Sequence, residues 1–208
     1  MTELKKIGPY EIVEQVGAGG MATVYKAYQP KLDRFVAIKL MHQAFAADAT
    51  FLSRFEREAR IVARLDHRAI VPVYDYDTHE GRPYLVMKYI EGRTLKEVMA
   101  ERALSLDEIR GMMGRVADAL TYAHEQGILH RDVKPSNIVI DNSGHAYLTD
   151  FGLARVALSG ESTMSVDTML GTPHYVSPEQ AKGQADLDGR TDLYSLACVL
   201  YEQVTGSV

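Results

Sequence analysis

The segment from His130 to Asn137 concentrates side chains that can do chemistry. Its sequence, HRDVKPSN, places an imidazole, a carboxylate, an ammonium group and an amide within eight residues, between a predicted helix and a predicted strand. This density of charged and polar groups is hard to explain by turn formation, and proton transfer and the binding of anions or metals use such groups. Asp150 follows 18 residues after Asp132, at the end of a predicted strand, where a carboxylate can reach a metal ion. These residues are the candidate catalytic and metal-binding groups.

A glycine-rich run near the N-terminus is a candidate phosphate-binding loop. The run from Val16 to Val24, VGAGGMATV, lies between two predicted strands, where small residues let backbone N–H groups approach a phosphate closely. An ordinary glycine-rich hairpin is the alternative, because glycine is common in turns. A Rossmann fold requires a helix after the glycines and a Walker A loop requires Gly-Lys-Ser/Thr, and the run meets neither requirement. A β-hairpin over nucleotide phosphates remains.

Two charged residues, Lys39 and Glu58, are further candidates for the same site. Lys39 ends the apolar run VAIK, 22 residues after Gly17, although most lysines on strands simply face water. Glu58 lies in a predicted amphipathic helix, where pairing with Arg54 or Arg57 is the simpler explanation. Neither residue predicts a site by itself.

The elements that position these residues divide the chain into two halves. From Tyr10 to Tyr89, short segments rich in Val, Ile and Tyr are separated by Gly, Pro or Asp, which predicts an antiparallel sheet of five strands. One helix, from about Phe51 to Leu65, is predicted between them by apolar residues at helical spacing, and it is expected to lie on the sheet.

After residue 93 the apolar pattern changes to a helical period. Thr94 with Glu97, and Ser105 with Glu108, form two predicted capping boxes that begin helices. The second helix is long and amphipathic and is predicted to end at Gly127. The second half is therefore expected to be mainly helical.

The last part of the chain combines a polar segment with an apolar helix. Residues 156–169 are rich in Ser and Thr and predict a mobile loop. Residues 192–204 are apolar nearly all round, a pattern typical of a helix buried on every side.

Composition excludes several protein classes. The 208 residues are 46% hydrophobic and 25% charged, as in folded soluble proteins. A net charge of −5 gives no global basic field for nucleic acid or anionic lipid. The single cysteine, Cys198, excludes an intrachain disulfide framework and fits a reducing compartment. No signal sequence or membrane segment is predicted, so we expect a cytoplasmic protein, with an anchor beyond Val208 left open.

Taken together and in this order, VGAGGMATV, VAIK, HRDVKPSN and DFG resemble the signature set of eukaryotic-like protein kinases. The resemblance runs from about Tyr10 to Gly206. Lys134 and the GTPHYVSPE stretch at residues 171–179 are similar to serine/threonine kinases, and SPEQ with the GGM loop to their bacterial branch. The resemblance implies an α+β, two-lobed protein-kinase-like fold. An antiparallel-sheet N-lobe would span residues 1–90, and a mainly helical, incomplete C-lobe residues 91–208.

The resemblance also implies roles for the catalytic residues. Asp132 would accept the proton of a substrate hydroxyl, and Lys134 would stabilise the transferring phosphate. Lys39 would hold the α and β phosphates of ATP, oriented by Glu58 on an inward-swung helix, and Thr172 would help to position Asp132.

ATP and Mg²⁺ are the implied cofactors, with Mn²⁺ as the alternative ion. Asn137 and Asp150 would be the metal ligands, because hard cations prefer oxygen. A larger set would contact the nucleotide through the glycine loop, the adenine pocket and the backbone that pairs with the base, namely Val16, Gly17, Ala18, Gly19, Gly20, Val24, Ala37, Lys39, Met87, Lys88, Tyr89, Ile90 and Val139.

The expected partners are proteins with serine or threonine acceptors. Arg131 could pair with a phosphorylated residue, which predicts regulation by autophosphorylation at Thr163, Ser165 or Thr168, with a kinase homodimer as partner; a merely flexible loop is the alternative. Two alternative functions stay open: a nucleotide-binding pseudokinase scaffold, and an inactive fragment of a larger receptor kinase. A pseudokinase would lack one of four residues needed for phosphate transfer, and all four are present: Lys39, Asp132, Asn137 and Asp150.

Three positions depart from the family pattern. Ala22 replaces the third glycine of the loop, a small change that we discount. Lys88 replaces a common acid, but backbone groups pair with the base there. The family domain also continues with further helices, including an arginine that pairs with the glutamate matching Glu179, and we expect these after residue 208.

Overall fold

The computed structural model describes residues 5–46, 48–151 and 173–207, which form two compact units. The N-terminal unit contains the described residues up to Arg64 together with Pro72–Tyr89. The C-terminal unit contains Leu65–Val71 and the described residues from Ile90 onward. The chain therefore enters the C-terminal unit once, briefly, before the main division near residue 90.

An antiparallel sheet forms most of the N-terminal unit. Its order is β1-β2-β3-β4-β6-β5, so one strand more is present than the five predicted. The additional strand has two residues, too few for an alternating pattern to predict it. The strands are β1 (Lys6–Ile7), β2 (Tyr10–Ala18), β3 (Ala22–Gln29), β4 (Arg34–Met41), β5 (Val73–His79) and β6 (Arg82–Lys88).

Strand β4 has one buried and one half-buried face. Val36, Ile38 and Leu40 are fully buried, as alternation of side chains along a strand requires. Ala37 and Lys39, between them, are only half-buried on the opposite face. The core of this unit is built on the first face, and it also contains Ile7, Tyr10, Ala27, Tyr84 and Val86.

Two helices follow β4, α1 (Gln43–Ala46) and α2 (Ala49–Val62). Asp48 caps α2 by accepting hydrogen bonds from the backbone N–H groups of Thr50 and Phe51. The helix buries Phe55, whose ring lies 5.7 Å from that of Tyr76 on β5. Contact with the sheet confirms the predicted position of this helix, although it ends before residue 65.

Helices α3 (Leu95–Glu101) and α4 (Leu106–Glu125) begin at the two predicted capping boxes. Thr94 and Ser105 accept from the backbone N–H groups of Glu97 and Glu108, and both glutamates accept from the cap backbone in return. Gly127 follows α4 with a φ of +72°, a conformation that favours glycine, and the chain turns there as predicted.

A small sheet packs beside α4 in the C-terminal unit. It has the order β7-β8-β9, with β7 (Gly92–Thr94), β8 (Ile138–Asp141) and β9 (Ala146–Leu148). The segment Leu65–Val71 joins this unit because Leu148 donates to the Ala69 carbonyl (2.8 Å) and Val71 donates to the Leu148 carbonyl (2.9 Å).

The last helices are α5 (Pro178–Ala181) and α6 (Gly189–Thr205). The prediction that α6 is buried on every side is wrong for the described residues, because Leu193, Leu200, Tyr201 and Val204 are all more than 40% exposed. Its most buried residues include three polar ones, Thr191, Asp192 and Ser195. No helix in the described ranges is long and apolar enough to span a membrane.

The carboxyl group of Glu108, in the capping box of α4, has a lowered pKa. Arg102 and the Ser105 backbone and hydroxyl groups lower the pKa of Glu108 from 4.5 to about 2. Because the pKa is depressed in the folded state, this contribution to stability is present above pH 4.5 and is lost as the pH falls toward 2. We expect NMR titration to place the Glu108 carboxyl near pH 2.

Urea unfolding of two matched variants tests whether this lowered pKa contributes to stability. Between pH 5 and pH 3, roughly spanning the ordinary glutamate range, the stability of Glu108→Gln should fall less than that of the wild type. Glu125→Gln, an exposed site near the other end of α4, should behave like the wild type. Equal pH dependence of Glu108→Gln and the wild type would contradict the assignment.

Candidate active site

A buried carboxylate on α6 holds the backbone of the candidate catalytic loop. Asp192 is 0% exposed, and its Oδ2 and Oδ1 accept from the backbone N–H groups of His130 (2.8 Å) and Arg131 (2.7 Å). His124 on α4 adds a contact from Nε2 to Oδ2 at 2.8 Å. Asp192 therefore connects α4, α6 and the loop through one side chain.

Asp192 is charged despite its burial. Burial alone raises the pKa of a carboxyl, but hydrogen bonds from His124 and from the two backbone N–H groups outweigh it, so the pKa of Asp192 lies below its usual value. Hydrogen bonds to the charged form are the physical reason why this buried carboxylate is tolerated.

The His130 side chain fixes the next part of the loop. It is 0% exposed, and its Nδ1 accepts from the Asp132 backbone N–H at 3.2 Å. Nε2 therefore carries the proton and donates to the Thr149 carbonyl at 2.8 Å. The ring also packs on buried Phe151 with centroids 4.6 Å apart. His130 thus links the candidate catalytic loop to the segment that carries Asp150.

Arg131 has a backbone conformation that is unfavourable for a residue with a side chain. Its φ of +67° lies in the left-handed region, which costs a non-glycine residue about 1 kcal/mol or more. The Asp192 bond to its N–H, and a 2.9 Å bond from Gln180 Nε2 to its carbonyl, hold both sides of the residue. The loop is therefore constrained at each peptide group before Asp132.

The Asp132 carboxylate has two polar contacts on one oxygen. Lys134 Nζ lies 2.8 Å from Oδ2, and Asn137 Nδ2 donates to the same atom at 2.9 Å. Asn137 Nδ2 also donates to the Asp132 carbonyl at 2.8 Å. The side chain remains 37% exposed. Because the contacts fall on Oδ2, Oδ1 is the carboxylate atom best placed to accept a proton.

Asn137 and Asp150 are oxygen donors suited to a hard cation. Both hydrogen bonds of Asn137 Nδ2 go to acceptors on Asp132, so its Oδ1 is the atom that can bind a metal. The Thr149 N–H donates to the Asn137 carbonyl at 3.0 Å, which brings the residue before Asp150 against Asn137. Val139, predicted to contact adenine, is half-buried on β8.

These oxygen donors suit a hard divalent cation such as Mg²⁺ or Mn²⁺. No group of three or more His, Cys, Asp or Glu side chains that could hold a metal occurs in the part of the chain that the structure describes. Mg²⁺ needs no such cage, because it uses one or two carboxylates together with substrate phosphates and water. Asp150 has a φ of +68°, a second strained position beside the loop.

In the N-terminal unit, one sheet face gathers four of the predicted nucleotide-binding residues. Lys39 lies opposite Val24 on β3, and Ala37 lies opposite Met87 on β6. Directly paired residues of antiparallel strands share a face, and Ala37 and Lys39 are two apart on β4. The four side chains therefore line the face opposite the core.

The glycine loop closes the hairpin between β2 and β3. Ala18 pairs with Thr23, and the Gly19 N–H donates to the Ala22 carbonyl at 2.9 Å. A Cβ added at Gly20 would meet nothing within 4 Å, so packing does not require glycine there. Val16 lies at a register irregularity of β2 and is 44% exposed.

Two further predicted loop residues flank this turn. Gly17 pairs with Val24, on the sheet face opposite the core, and Ala18 is the last residue of β2. The surface above Gly20 is open in the described part of the chain, which fits a loop that a ligand approaches closely.

Glu58 is buried on α2, with 9% of its surface exposed. A carboxylate so placed requires an interaction with a charged or hydrogen-bonding group. Glu58 and Lys39 each make at least one polar or electrostatic interaction within the chain. The burial of Glu58 rules out a carboxylate on a solvated helix face, whereas its pairing with Arg54 or Arg57 stays untested.

Lys88, Tyr89 and Ile90 lie where the chain passes from one unit to the next. The Lys88 N–H donates to the Pro72 carbonyl at 3.0 Å, so pairing of Lys88 with a base would use its carbonyl. The Tyr89 ring lies 4.8 Å from Lys26 Nζ, within cation–π range.

Four predicted residues, Thr172, Thr163, Ser165 and Thr168, lie outside the described residues. Glu179, for which the resemblance implies an arginine partner, accepts a 2.8 Å hydrogen bond from Thr191 Oγ1. Hydrogen bonds from its own N–H and from Thr191 lower the pKa of Glu179.

Sequence reasoning missed the residues that support the loop. Asp192 lies 60 positions after Asp132, outside every motif described above, and Gln180, the last residue of SPEQ, was given no role in supporting the loop. A signal was present for Asp192, because an acid within an otherwise apolar helix requires burial with partners or exposure. His124 carried no comparable signal.

Removing the Asp192 charge tests its supporting role. Asp192→Asn should lower the free energy of unfolding by about 2 to 4 kcal/mol, because two backbone N–H groups and His124 lose a charged acceptor. Urea unfolding at pH 7 measures this. Asp186→Asn, at an exposed position, is the control and should leave the midpoint unchanged.

The pH dependence provides a second test of the same contact. The depressed pKa of Asp192 means that its contribution is present above the ordinary aspartate value and is lost as the pH falls through its folded value. Asp192→Asn should therefore be closest to the wild type in strong acid. A constant difference in stability from pH 7 down to pH 2, roughly the range that spans both pKa values, would contradict this.

The chain is similar in sequence to known protein kinases. The family described as the protein kinase domain matches residues 10–208. The chain is 43% identical over 202 residues to the serine/threonine-protein kinase PrkC of Bacillus subtilis, covering 97% of this chain and 31% of PrkC. It is 43% identical over 198 residues to PknL of Mycobacterium tuberculosis, covering 95% of this chain and 49% of PknL.

A solved structure extends the similarity to the fold. The crystal structure of a double mutant of the Mycobacterium tuberculosis PknI kinase domain matches with a TM-score of 0.81 and 34% identity, covering 97% of this chain and 77% of that one. The predicted fold, with an antiparallel-sheet N-lobe and a helical C-lobe, is confirmed. The chain spans half or less of the length of the two curated relatives, PrkC and PknL. This chain belongs to the protein kinase family.

Proposed function

We propose that the chain is the catalytic part of a serine/threonine protein kinase that uses ATP and Mg²⁺. The observation that carries the proposal is the Asp132 carboxylate, held at Oδ2 by Lys134 (2.8 Å) and Asn137 (2.9 Å) on a loop anchored by Asp192. A carboxylate held in this way can act as the base that takes the proton from an acceptor hydroxyl. The family membership and the names of the relatives support the same activity.

The reaction forms a bond between the acceptor oxygen and the γ-phosphorus and breaks the bond to the bridging oxygen of ADP. Asp132 takes the hydroxyl proton, and the leaving ADP keeps the electron pair of the broken bond. Lys134 places a positive charge beside Asp132, where it can stabilise charge on the transferring group. Positioning and electrostatic stabilisation supply most of the catalysis in such reactions.

Asn137 Oδ1 and the Asp150 carboxylate are the proposed Mg²⁺ ligands. When bound, Mg²⁺ neutralises negative charge on the phosphates of ATP. The Asn137 amide is held by two hydrogen bonds to Asp132, which couples the metal ligand to the base. Mn²⁺ would fit the same oxygen donors.

The N-terminal unit is the proposed nucleotide-binding part. Val24, Ala37 and Met87 provide apolar surface for adenine on the face that carries Lys39. Lys39 would bind the α and β phosphates, and buried Glu58 would orient it. The backbone N–H groups of the glycine loop would contact the phosphates.

Replacing the proposed base tests the chemistry. Asp132→Asn should reduce kcat by about 100- to 10,000-fold while ATP affinity changes little, because the carboxylate acts on the acceptor hydroxyl. Phosphate transfer to a serine- or threonine-containing protein and the Kd for ATP should be measured on the same preparation. Asp118→Asn, a 58% exposed site on α4, is the matched control.

The outcomes separate the candidate functions. A wild-type protein that binds ATP but transfers no phosphate would favour a pseudokinase scaffold. A protein that neither binds ATP nor transfers phosphate would favour an inactive fragment of a larger receptor kinase. Near-normal turnover of Asp132→Asn would remove Asp132 from its assigned role while leaving the activity itself intact.

We further propose regulation by autophosphorylation between two copies of the chain. Arg131 precedes the catalytic Asp132, so a phosphate paired with its guanidinium would act next to the base. The acceptors would be Thr163, Ser165 or Thr168, in a segment rich in hydroxyl groups.

Mass spectrometry tests this regulation. After incubation with Mg-ATP, we expect phosphate on at least one of Thr163, Ser165 and Thr168, with activity rising as phosphate accumulates. The initial rate per molecule should increase with protein concentration if two copies react. A variant with all three changed to Ala should show no such rise, and full activity without phosphate here would contradict the proposal.

A further inference from the structure

His42 lies immediately after β4, beside the tip of the glycine loop. The register of β3 and β4 pairs Ala22 with Met41 and Val24 with Lys39. The chain therefore carries His42 past the last strand pair, next to Gly20 and Met21. The same strand holds Lys39 three residues earlier.

Three hydrogen bonds connect His42 to the loop. Its backbone N–H donates to the Met21 carbonyl at 2.9 Å. Its ring Nδ1 lies 3.2 Å from the Gly20 carbonyl, and Nε2 lies 3.2 Å from Thr23 Oγ1. The ring thus bridges the turn and the first residues of β3, and its contacts add to the hydrogen bonds of the hairpin itself.

The chemistry of the partners defines the proton positions. The Gly20 carbonyl only accepts, so Nδ1 must carry a proton and donate to it. Nε2 then accepts from the Thr23 hydroxyl in the neutral ring, or donates to it in the charged ring, because a hydroxyl can do either. The contacts therefore persist in both protonation states of His42.

The tip of the loop has few side chains of its own to restrain it. Gly19 and Gly20 contribute no side chains, and a Cβ at Gly20 would contact nothing within 4 Å. Glycine gives the unfolded or frayed loop more conformations than other residues do, so ordering the loop costs more entropy. A contact that orders the loop before ATP arrives removes part of that cost from binding.

We propose that His42 is a positioning residue that holds the glycine loop in its phosphate-binding conformation and in fixed register with the Lys39 strand. This inference rests on the proposed ATP binding. It assigns to a side chain outside the kinase signature motifs considered above the task of pre-organising the loop. His42 would raise ATP affinity without taking part in the chemical step.

Variants of the intact protein test the proposal. His42→Ala should raise the Kd and KM for ATP by about 5- to 20-fold, as expected for the loss of two hydrogen bonds, with kcat within about twofold of the wild type. His42→Asn, whose amide can donate to the Gly20 carbonyl, should recover part of the affinity. Thr23→Val should weaken ATP binding less, and adding it to His42→Ala should have little further effect.

His79→Ala is the matched control. This half-buried histidine in the same sheet accepts a 3.3 Å bond from the Gly8 N–H, far from the glycine loop in sequence. It should leave the Kd for ATP unchanged. Thermal unfolding of each variant identifies any general loss of folding, and His42→Asn and Thr23→Val keep the test decisive if His42→Ala does not fold.

A measurement without nucleotide separates this inference from the proposed function. Hydrogen exchange of the Gly19 amide, which donates to the Ala22 carbonyl, should be about tenfold faster in His42→Ala than in the wild type. Unchanged exchange in His42→Ala overturns the positioning role. A wild-type protein that does not bind ATP overturns the proposed function instead, and equal ATP affinity of wild type and His42→Ala overturns the inference alone.

Discussion

The buried carboxylate of Asp192 is the interaction on which the candidate catalytic loop depends. It lies in the first turn of α6, where the positive end of the helix dipole favours a negative charge. It accepts from two successive backbone N–H groups and from His124, so the loop conformation is set from outside the loop. The left-handed Arg131, which local sequence would disfavour, is held by these bonds. Asp132 is positioned as a consequence.

In the N-terminal unit, the predicted site residues are positioned by the alternation of side chains along the strands. One face of β4 contributes Val36, Ile38 and Leu40 to the core, which fixes the register against β3 and β6. Because the register is fixed, Lys39 and Ala37 must lie on the other face with Val24 and Met87. The face predicted to bind the nucleotide is thus determined by core packing, while the conformation of the glycine loop depends on turn contacts.

Local features could be predicted from the sequence, and long-range support could not. The capping boxes at Thr94 and Ser105 were predictable because their partners lie three residues away. The loop chemistry around Asp132 was visible because its residues are adjacent in sequence. The Asp192 contacts join residues 61 and 62 positions apart, and no periodicity predicts such a pair. The apolar pattern of α6 suggested burial all round, but its buried face is largely polar, because Asp192 binds the loop and Thr191 and Ser195 bind Glu179 and the Tyr175 carbonyl.

Amide hydrogen exchange at His130 and Arg131 tests the role of Asp192 most directly. NMR at 25 °C can measure both amides in the wild-type protein without substrate or nucleotide. If Asp192 holds the loop, both amides should exchange about as slowly as the most protected amides of α4, because each donates to a buried charged acceptor. Exchange at the rate of an unstructured peptide, in a protein whose α4 amides are protected, would contradict the account.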